Sequence, residues 1–278
     1  MEYGNITNRT VCFIQNGDRH YTNIFKSIYI GKCYSFKQGN REVTEIITDG
    51  IAAAKKGLAP STIKTELTAI RFFHDNMPYA KHKLPANDEL ELKKRTFGGV
   101  DRTWSNREYN LMVCKAMETN HNDYAAILTL ARYGGLRLEE CFRIDTNDAE
   151  KAIETGNLLV KGKGGLTRYV PINKSMEIVL GNALKDIKRG EKLFVRNYEK
   201  THLAMKRLQC FIAYYRKEFT ENRITFHGLR HTYAHEKYGE FIRSGKNDTK
   251  ARRCVSELMG HHRDDVTRIY LSGGDKDV

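Results

Sequence analysis

In the segment Thr225-Phe-His227-Gly-Leu-Arg230-His231-Thr-Tyr-Ala-His235, a histidine and an arginine stand three residues apart, and farther on Gly260-His261 precedes Tyr270, nine residues after the histidine. On a helix, residues at i and i+3 share a face, so His227 and Arg230 project toward one ligand. Such a face suits a phosphate, because arginine offers a permanently charged planar fork of donors and histidine can take or give a proton near neutral pH. Alone, the pair reads more readily as the polar face of an ordinary amphipathic helix. Other segments shift that balance. Arg137 follows the Gly134-Gly135 break at a sharp corner, with Glu140 three residues on, a setting in which an arginine commonly pairs with carbonyls or with the nearby carboxylate. Lys163 sits at the tip of a glycine-rich turn, Lys161-Gly162-Lys163-Gly164-Gly165, whose glycine spacing and following residues do not make a phosphate-cradling P-loop.

The elements that must hold these residues are mostly helical. Ser105 and Glu108 form a capping-box pattern that opens a helix over about 105–119, and a very apolar one follows over about 122–133. A short helix starts within Leu136–Ile144, and two strands joined by the glycine-rich turn span 157–171. Further helices are expected at about 174–188, 199–219, 227–242 and 249–260, with Leu193-Phe-Val195 as a short extended piece. Toward the N-terminus, residues 1–19 read as an extended arm, and helical spacing recurs over about 20–38 and 43–56. Pro60-Ser61-Thr62 opens the clearest helix of this half, with Ser61 or Thr62 as cap, Ile63, Leu67, Ile70, Phe72 and Phe73 as its apolar stripe, and Pro78 as its end. A short helix fits 87–95. Residues 20–95 thus form a compact helical unit offering Lys64, Arg71 and His74 to phosphates, and the basic, glycine-containing stretch 96–103 links it to a second domain, 104–278.

Lysine and arginine outnumber aspartate and glutamate 47 to 34, and the excess is spread, 15 to 10 in the first hundred residues and 32 to 24 in the rest. Both halves are basic, as suits a protein gripping a polyanion from two sides. The six cysteines are scattered, without a CxxC pair, and read as reduced core residues. No apolar run is long enough for a membrane span, and the first residues lack the charged and apolar regions of a signal peptide, so a cytoplasmic location is expected.

Taken in order, these motifs resemble the tyrosine recombinase family, also called the phage integrases. Arg137 with Glu140, Lys163 in Gly-Lys-Gly followed by Arg168-Tyr-Val-Pro171, His227 with Arg230, Gly260-His261 and Tyr270 each match a family motif, and their common order is far more specific than any one. The resemblance covers the whole second domain, and the first is similar to the family's helical core-binding domain. It implies a mainly α fold with a small β-sheet in the C-terminal domain, arranged as a two-domain clamp on DNA. It implies a site-specific recombinase that forms a 3′-phosphotyrosyl bond through Tyr270 and needs neither metal nor ATP, with no cofactor. The residues suit that chemistry. Two arginine forks, Arg137 and Arg230, can stabilise the charge that builds on a phosphate, and His227 can take the tyrosine proton while His261 supports the phosphate. The family implies that Lys163 protonates the departing 5′ oxygen. Glu140 would orient Arg137 or a nearby histidine, with Lys161 and Arg168 as further DNA contacts. Double-stranded DNA carrying inverted-repeat core sites and a homotetramer on it are the partners implied.

Some features depart from the family pattern. Thirty residues lie between Arg230 and His261, with the added length expected in Arg243–Asp248. The segment after Tyr270 is short for docking on a neighbouring subunit, and no separate arm-binding domain is expected before residue 20. Other readings of the same residues are a zinc hydrolase built on His227, His231 and His235, a non-catalytic DNA-binding regulator, and a type IB topoisomerase.

Overall fold

The computed structural model describes residues 60–75, 86–88, 101–162, 165–185, 187–260 and 264–271. The chain divides into two units, Met1–Thr96 and Phe97–Val278. In the first, helix α1 (Pro60–Asp75) starts at the proline, so Ser61 and Thr62 lie inside its first turn and neither caps it. That is a natural place for proline, whose missing N–H has no helical partner there in any case. Ile63 and Leu67 are buried as expected, whereas Phe72 is 66% exposed and belongs to the opposite face. Lys64 is half-buried, and Arg71 donates to Asn87 Oδ1 at 2.8 Å. The expected helices at 20–38 and 43–56, Pro78, the His74 side chain and most of 87–95 lie outside the described residues.

In the second unit, Ser105 caps α2 (Asn106–Glu118) through the predicted reciprocal pair with Glu108. Helix α3 (Asn122–Gly134) is buried on every side from Tyr124 to Arg132, which explains why its sequence is apolar without a clear period. Each of Ile127, Leu128 and Leu130 is fully buried, and withdrawing such a side chain from water contributes about 1.5–3 kcal/mol. Gly135 ends α3 in the left-handed conformation, with φ of 60°. A Cβ there would also meet the Tyr233 ring at 2.4 Å, so both backbone and packing require glycine. The corner leads into the one-turn helix α4 (Leu138–Cys141).

Helix α5 (Thr146–Thr155) was not expected from the sequence, although its signals are present. Asp145 and Asp148 form its capping box, and Gly156 closes it at φ 70°. Its core-facing residues are chiefly the small Ala149 and Ala152, which give a weak apolar stripe. Strands β1 (Asn157–Lys161) and β2 (Thr167–Pro171) pair antiparallel, with Val160 opposite Arg168 and Leu158 opposite Val170. Leu158, Val160 and Val170 face the core. The expected extended piece at 193–195 forms no strand; Leu193 N–H bonds instead to the Ile144 carbonyl, beside an isolated bridge between Asp145 and Lys192.

Helices α6 (Lys174–Ala183), α7 (Thr201–Tyr215), α8 (Phe226–Arg243) and α9 (Asp248–Met259) follow; α8 and α9 keep the predicted bounds to within a residue, whereas α6 and α7 end about a turn before theirs. Arg243–Asp248 is a tight turn between α8 and α9, with Gly245 at φ 86°, so it does not hold a long insertion. Helix α10 (Asp264–Leu271), the last among the described residues, carries Tyr270 and was not foreseen. Eight residues make about two turns, too few to be stable alone, so this helix depends on its packing against α8 and α9. Cysteine placement also differs from expectation. Cys141 is buried, but Cys114 and Cys210 are exposed and Cys254 only half-buried; Cys12 and Cys33 lie outside the described residues.

Candidate active site

Helix α8 is the rod on which the site is built. Its first turns enter the core because Gly228 lets two backbones approach: a Cβ at that position would lie 2.3 Å from the Arg102 carbonyl oxygen and 2.7 Å from the Trp104 indole. Trp104, 2% exposed, donates its indole N–H to the Thr225 carbonyl at 2.8 Å, and its backbone N–H to Thr232 Oγ1 at 2.7 Å. The start of α8 is thereby fixed, and with it the direction in which His227 and Arg230 project.

Arg230 is 1% exposed. It donates through Nη1 to the Gly135 carbonyl and through Nη2 to the Met259 carbonyl, tying the corner after α3 and the last turn of α9 to α8. These are carbonyls that a helix end leaves without intrahelical donors. Burial first, and then the charges of Arg137 and Arg168, lower the Arg230 pKa to about 10, with Tyr270 and Glu140 acting the other way. Its guanidinium carbon lies 5.8 Å from the centre of the Tyr270 ring.

Glu140 organises the other two arginines. Its Oε1 accepts from Arg137 Nη1 and from Arg168 Nη1, both at 2.8 Å, and its Oε2 accepts from Arg168 Nη2 at 2.8 Å and from the Arg137 backbone N–H at 2.7 Å. Burial alone would raise the Glu140 pKa, but the hydrogen bond and charge of Arg168, followed by the Arg137 N–H and Arg230, bring it down to about 2. Arg168 was read from the sequence as a DNA contact. In the structure its side chain is 10% exposed and forms a bidentate ion pair with Glu140, as its register opposite the inward-facing Val160 dictates. The Arg137 side chain is 30% exposed, in keeping with a donor available at a surface. Lys161 is exposed on β1. Three guanidiniums around one carboxylate leave the site positive, ready for an anion.

Tyr270 is 7% exposed and packs with Tyr233, Ala234, Val255 and Met259. Its ring centre lies 5.4 Å from that of His227 and 4.4 Å from that of His231, the latter at an interplanar angle of 34°. His227 itself keeps one side open to solvent. The protein on its other sides, followed by the charges of His231, Arg230, Arg102 and Arg137, lowers its pKa to about 4, so it is neutral at pH 7 and able to accept a proton. His231 Nδ1 and His235 Nε2 both address the backbone carbonyl of Tyr270, at 3.2 and 2.9 Å. Among the described residues no group of three His, Cys, Asp or Glu is placed to hold a metal ion, so His227, His231 and His235 do not converge as the zinc reading requires.

The structure thus brings Arg137, Glu140, Arg168, His227, Arg230 and Tyr270 to one place. Lys163 and His261 lie outside the described residues. Gly162, which precedes Lys163, closes the hairpin by donating to the Leu166 carbonyl at 2.7 Å. A Cβ on Gly162 would stand 3.4 Å from Glu140 Oε1 and 3.8 Å from Arg137 Nη1, so this end of β1 abuts the carboxylate and arginines.

The model of the phage integrase family matches residues 106–276, the span that holds all these groups. Tyrosine recombinase XerC of Pediococcus pentosaceus is 26% identical over 236 residues, covering 77% of this chain and 71% of that protein. XerC of Escherichia coli O1:K1 / APEC is 26% identical over 243 residues, covering 82% and 75%. Among solved structures, a lambda integrase dimer bound to a core site superposes with a TM-score of 0.64 at 18% identity, covering 99% of this chain and 92% of that one. The XerH site-specific recombinase bound to a palindromic difH substrate gives 0.61 at 17%, covering 91% and 74%.

Proposed function

We infer, from a chain that belongs to the phage integrase family, a site-specific DNA recombinase that cuts and rejoins strands by transesterification through Tyr270. The observation that carries the reading is the placement of a buried tyrosine ring 5.4 Å from a neutral histidine and 5.8 Å from a buried guanidinium, beside a second, half-exposed arginine. In this reading the Tyr270 oxygen attacks the scissile phosphorus. His227, kept neutral by its surroundings, takes the phenolic proton. Arg137 donates to the phosphate as charge grows on its oxygens, and Arg230 acts mainly through its fixed charge in a water-poor setting. Glu140 sets the angle of Arg137, and Lys163 protonates the leaving 5′ oxygen. His261 supports the phosphate. The product is a 3′-phosphotyrosyl bond and a free 5′ hydroxyl, and reversal by a 5′ hydroxyl restores the diester without an external energy source.

Lys64, Arg71, His74 and Lys161 extend the grip on the duplex through phosphates, with 20–95 as the core-binding domain and 104–278 as the catalytic domain. Recombination between two duplexes calls for a homotetramer on paired, inverted core sites. A lambda integrase dimer on a core site and XerH on a palindromic difH substrate support the DNA partner in this reading.

The test is a nicked half-site incubated with protein and run on a denaturing gel. The wild type forms a covalent adduct with or without chelator. Tyr270→Phe, which removes one oxygen, binds the half-site as well but forms none. An adduct that persists in Tyr270→Phe refutes the assignment. Adduct formation with relaxation of supercoils but no exchange between duplexes points to a topoisomerase.

A further inference from the structure

Beyond the groups that meet the phosphate, we propose that His231 and His235 are positioning residues that form a two-histidine latch on the main chain of Tyr270. The inference rests on the reading of Tyr270 as nucleophile. It starts from one oxygen atom. The Tyr270 carbonyl belongs to α10 (Asp264–Leu271) and is met by two side chains of α8. His231 Nδ1 stands 3.2 Å from it and His235 Nε2 2.9 Å. A carbonyl only accepts, so each of these nitrogens carries a hydrogen, which fixes His231 as a donor at Nδ1 and His235 as a donor at Nε2. The two rings sit one turn apart on α8, at i and i+4, and so close on the oxygen together.

The latch acts on the nucleophile in two ways. It holds the main chain of the residue whose side chain attacks, and the His231 ring lies 4.4 Å from the Tyr270 ring, limiting how that ring can turn. His231 is 4% exposed, and burial leads the causes that lower its pKa to about 4, so a single proton must serve the carbonyl bond. Helix α10 is short and depends on α8 and α9 for its stability, so removing the latch loosens the end that carries the reactive oxygen while leaving the arginines in place. A reacting atom displaced by about 1 Å can lose roughly a hundredfold in rate.

Paired substitutions separate donor from shape. The amide nitrogen of asparagine falls where His Nδ1 does, and that of glutamine where Nε2 does. His231→Asn and His235→Gln therefore keep each donor, whereas His231→Leu and His235→Met keep similar shapes without it. We expect His231→Leu and His235→Met to slow adduct formation at saturating half-site by roughly ten- to a hundredfold. Half-site affinity and the melting temperature should stay near wild type. His231→Asn and His235→Gln should restore most of the rate.

Equal rates for the members of each pair, whether all fast or all slow, overturn the latch. So do losses of affinity or melting temperature that account for the slower reaction, since those mark a general structural role. Tyr270→Phe, run in the same series, keeps the two ideas apart. An adduct in that variant removes the nucleophile assignment. Absence of adduct there, with wild-type rates in His231→Leu and His235→Met, removes the latch alone.

Discussion

Glu140→Gln isolates the charge at the centre of the arginine cluster. The substitution keeps the side chain's length and one acceptor oxygen, but removes the negative charge that Arg137 and Arg168 share. A carboxyl held at about 2 in place of its ordinary 4.5 carries about 3 kcal/mol of charge-dependent stability at neutral pH. Removing one member of a buried ion pair costs about 3–5 kcal/mol by a separate route, so the two figures agree. For a unit of this size that is a fall in melting temperature of roughly 6–12 °C. The pH dependence has a definite sign. Because the folded-state pKa is depressed, the contribution is fully present above 4.5 and is lost as pH falls toward about 2. The gap between wild type and Glu140→Gln, followed by calorimetry from pH 7 downward, should therefore hold steady to about pH 5 and then narrow. A variant that melts within about 2 °C of wild type at pH 7, less than 1 kcal/mol on the same scale, refutes the reasoning. So does a gap that is independent of pH.

Arg137→Ala should lower adduct formation by roughly two or more orders of magnitude with little change in melting temperature, since its side chain is 30% exposed. Arg230→Ala should lose comparable activity and melting temperature together, because it strips donors from the Gly135 and Met259 carbonyls; parallel behaviour of the two variants in calorimetry and gel assays counts against this division. A 5′-bridging sulfur, a leaving group that needs no proton, should restore cleavage to Lys163→Ala but not to Tyr270→Phe; if it rescues neither, Lys163 is not the acid. In the DNA-free protein, the His227 ring followed by NMR should titrate well below 6.5, near 4, and a midpoint at the ordinary value removes the argument for a neutral base at that position.

What could be read in the sequence were features with strong local causes. The Ser105–Glu108 capping box, the Gly134-Gly135 corner and the antiparallel hairpin all have short-range signals, and each was placed within a residue or two. Arg137, Glu140, His227, Arg230 and Tyr270, which the structure brings together, were singled out in the sequence by their types and order. Helix α10 was not, since eight residues with few apolar positions become a helix only against α8 and α9. Arg168 was expected to contact DNA, and its pairing with Glu140 was not foreseen, although alternation along β2 puts it on the same face as the buried Val170. Nothing local in the sequence shows that His231 and His235 meet the Tyr270 carbonyl, because that contact joins residues 39 and 35 positions apart through the packing of two helices.

The order of the site along the chain has a consequence for synthesis. Arg137, Glu140, Arg168 and Arg230 all precede Met259, while Tyr270 stands on the helix after it. Because chains emerge and fold from the N-terminal side first, the groups that would grip DNA exist before the group that would cut it. If Tyr270 is the nucleophile, as proposed, a nascent chain that has not yet reached it could not break a strand. A message that stops between Met259 and Tyr270 would yield a different hazard: copies able to occupy sites without cleaving them, which would poison any assembly that needs every subunit to react.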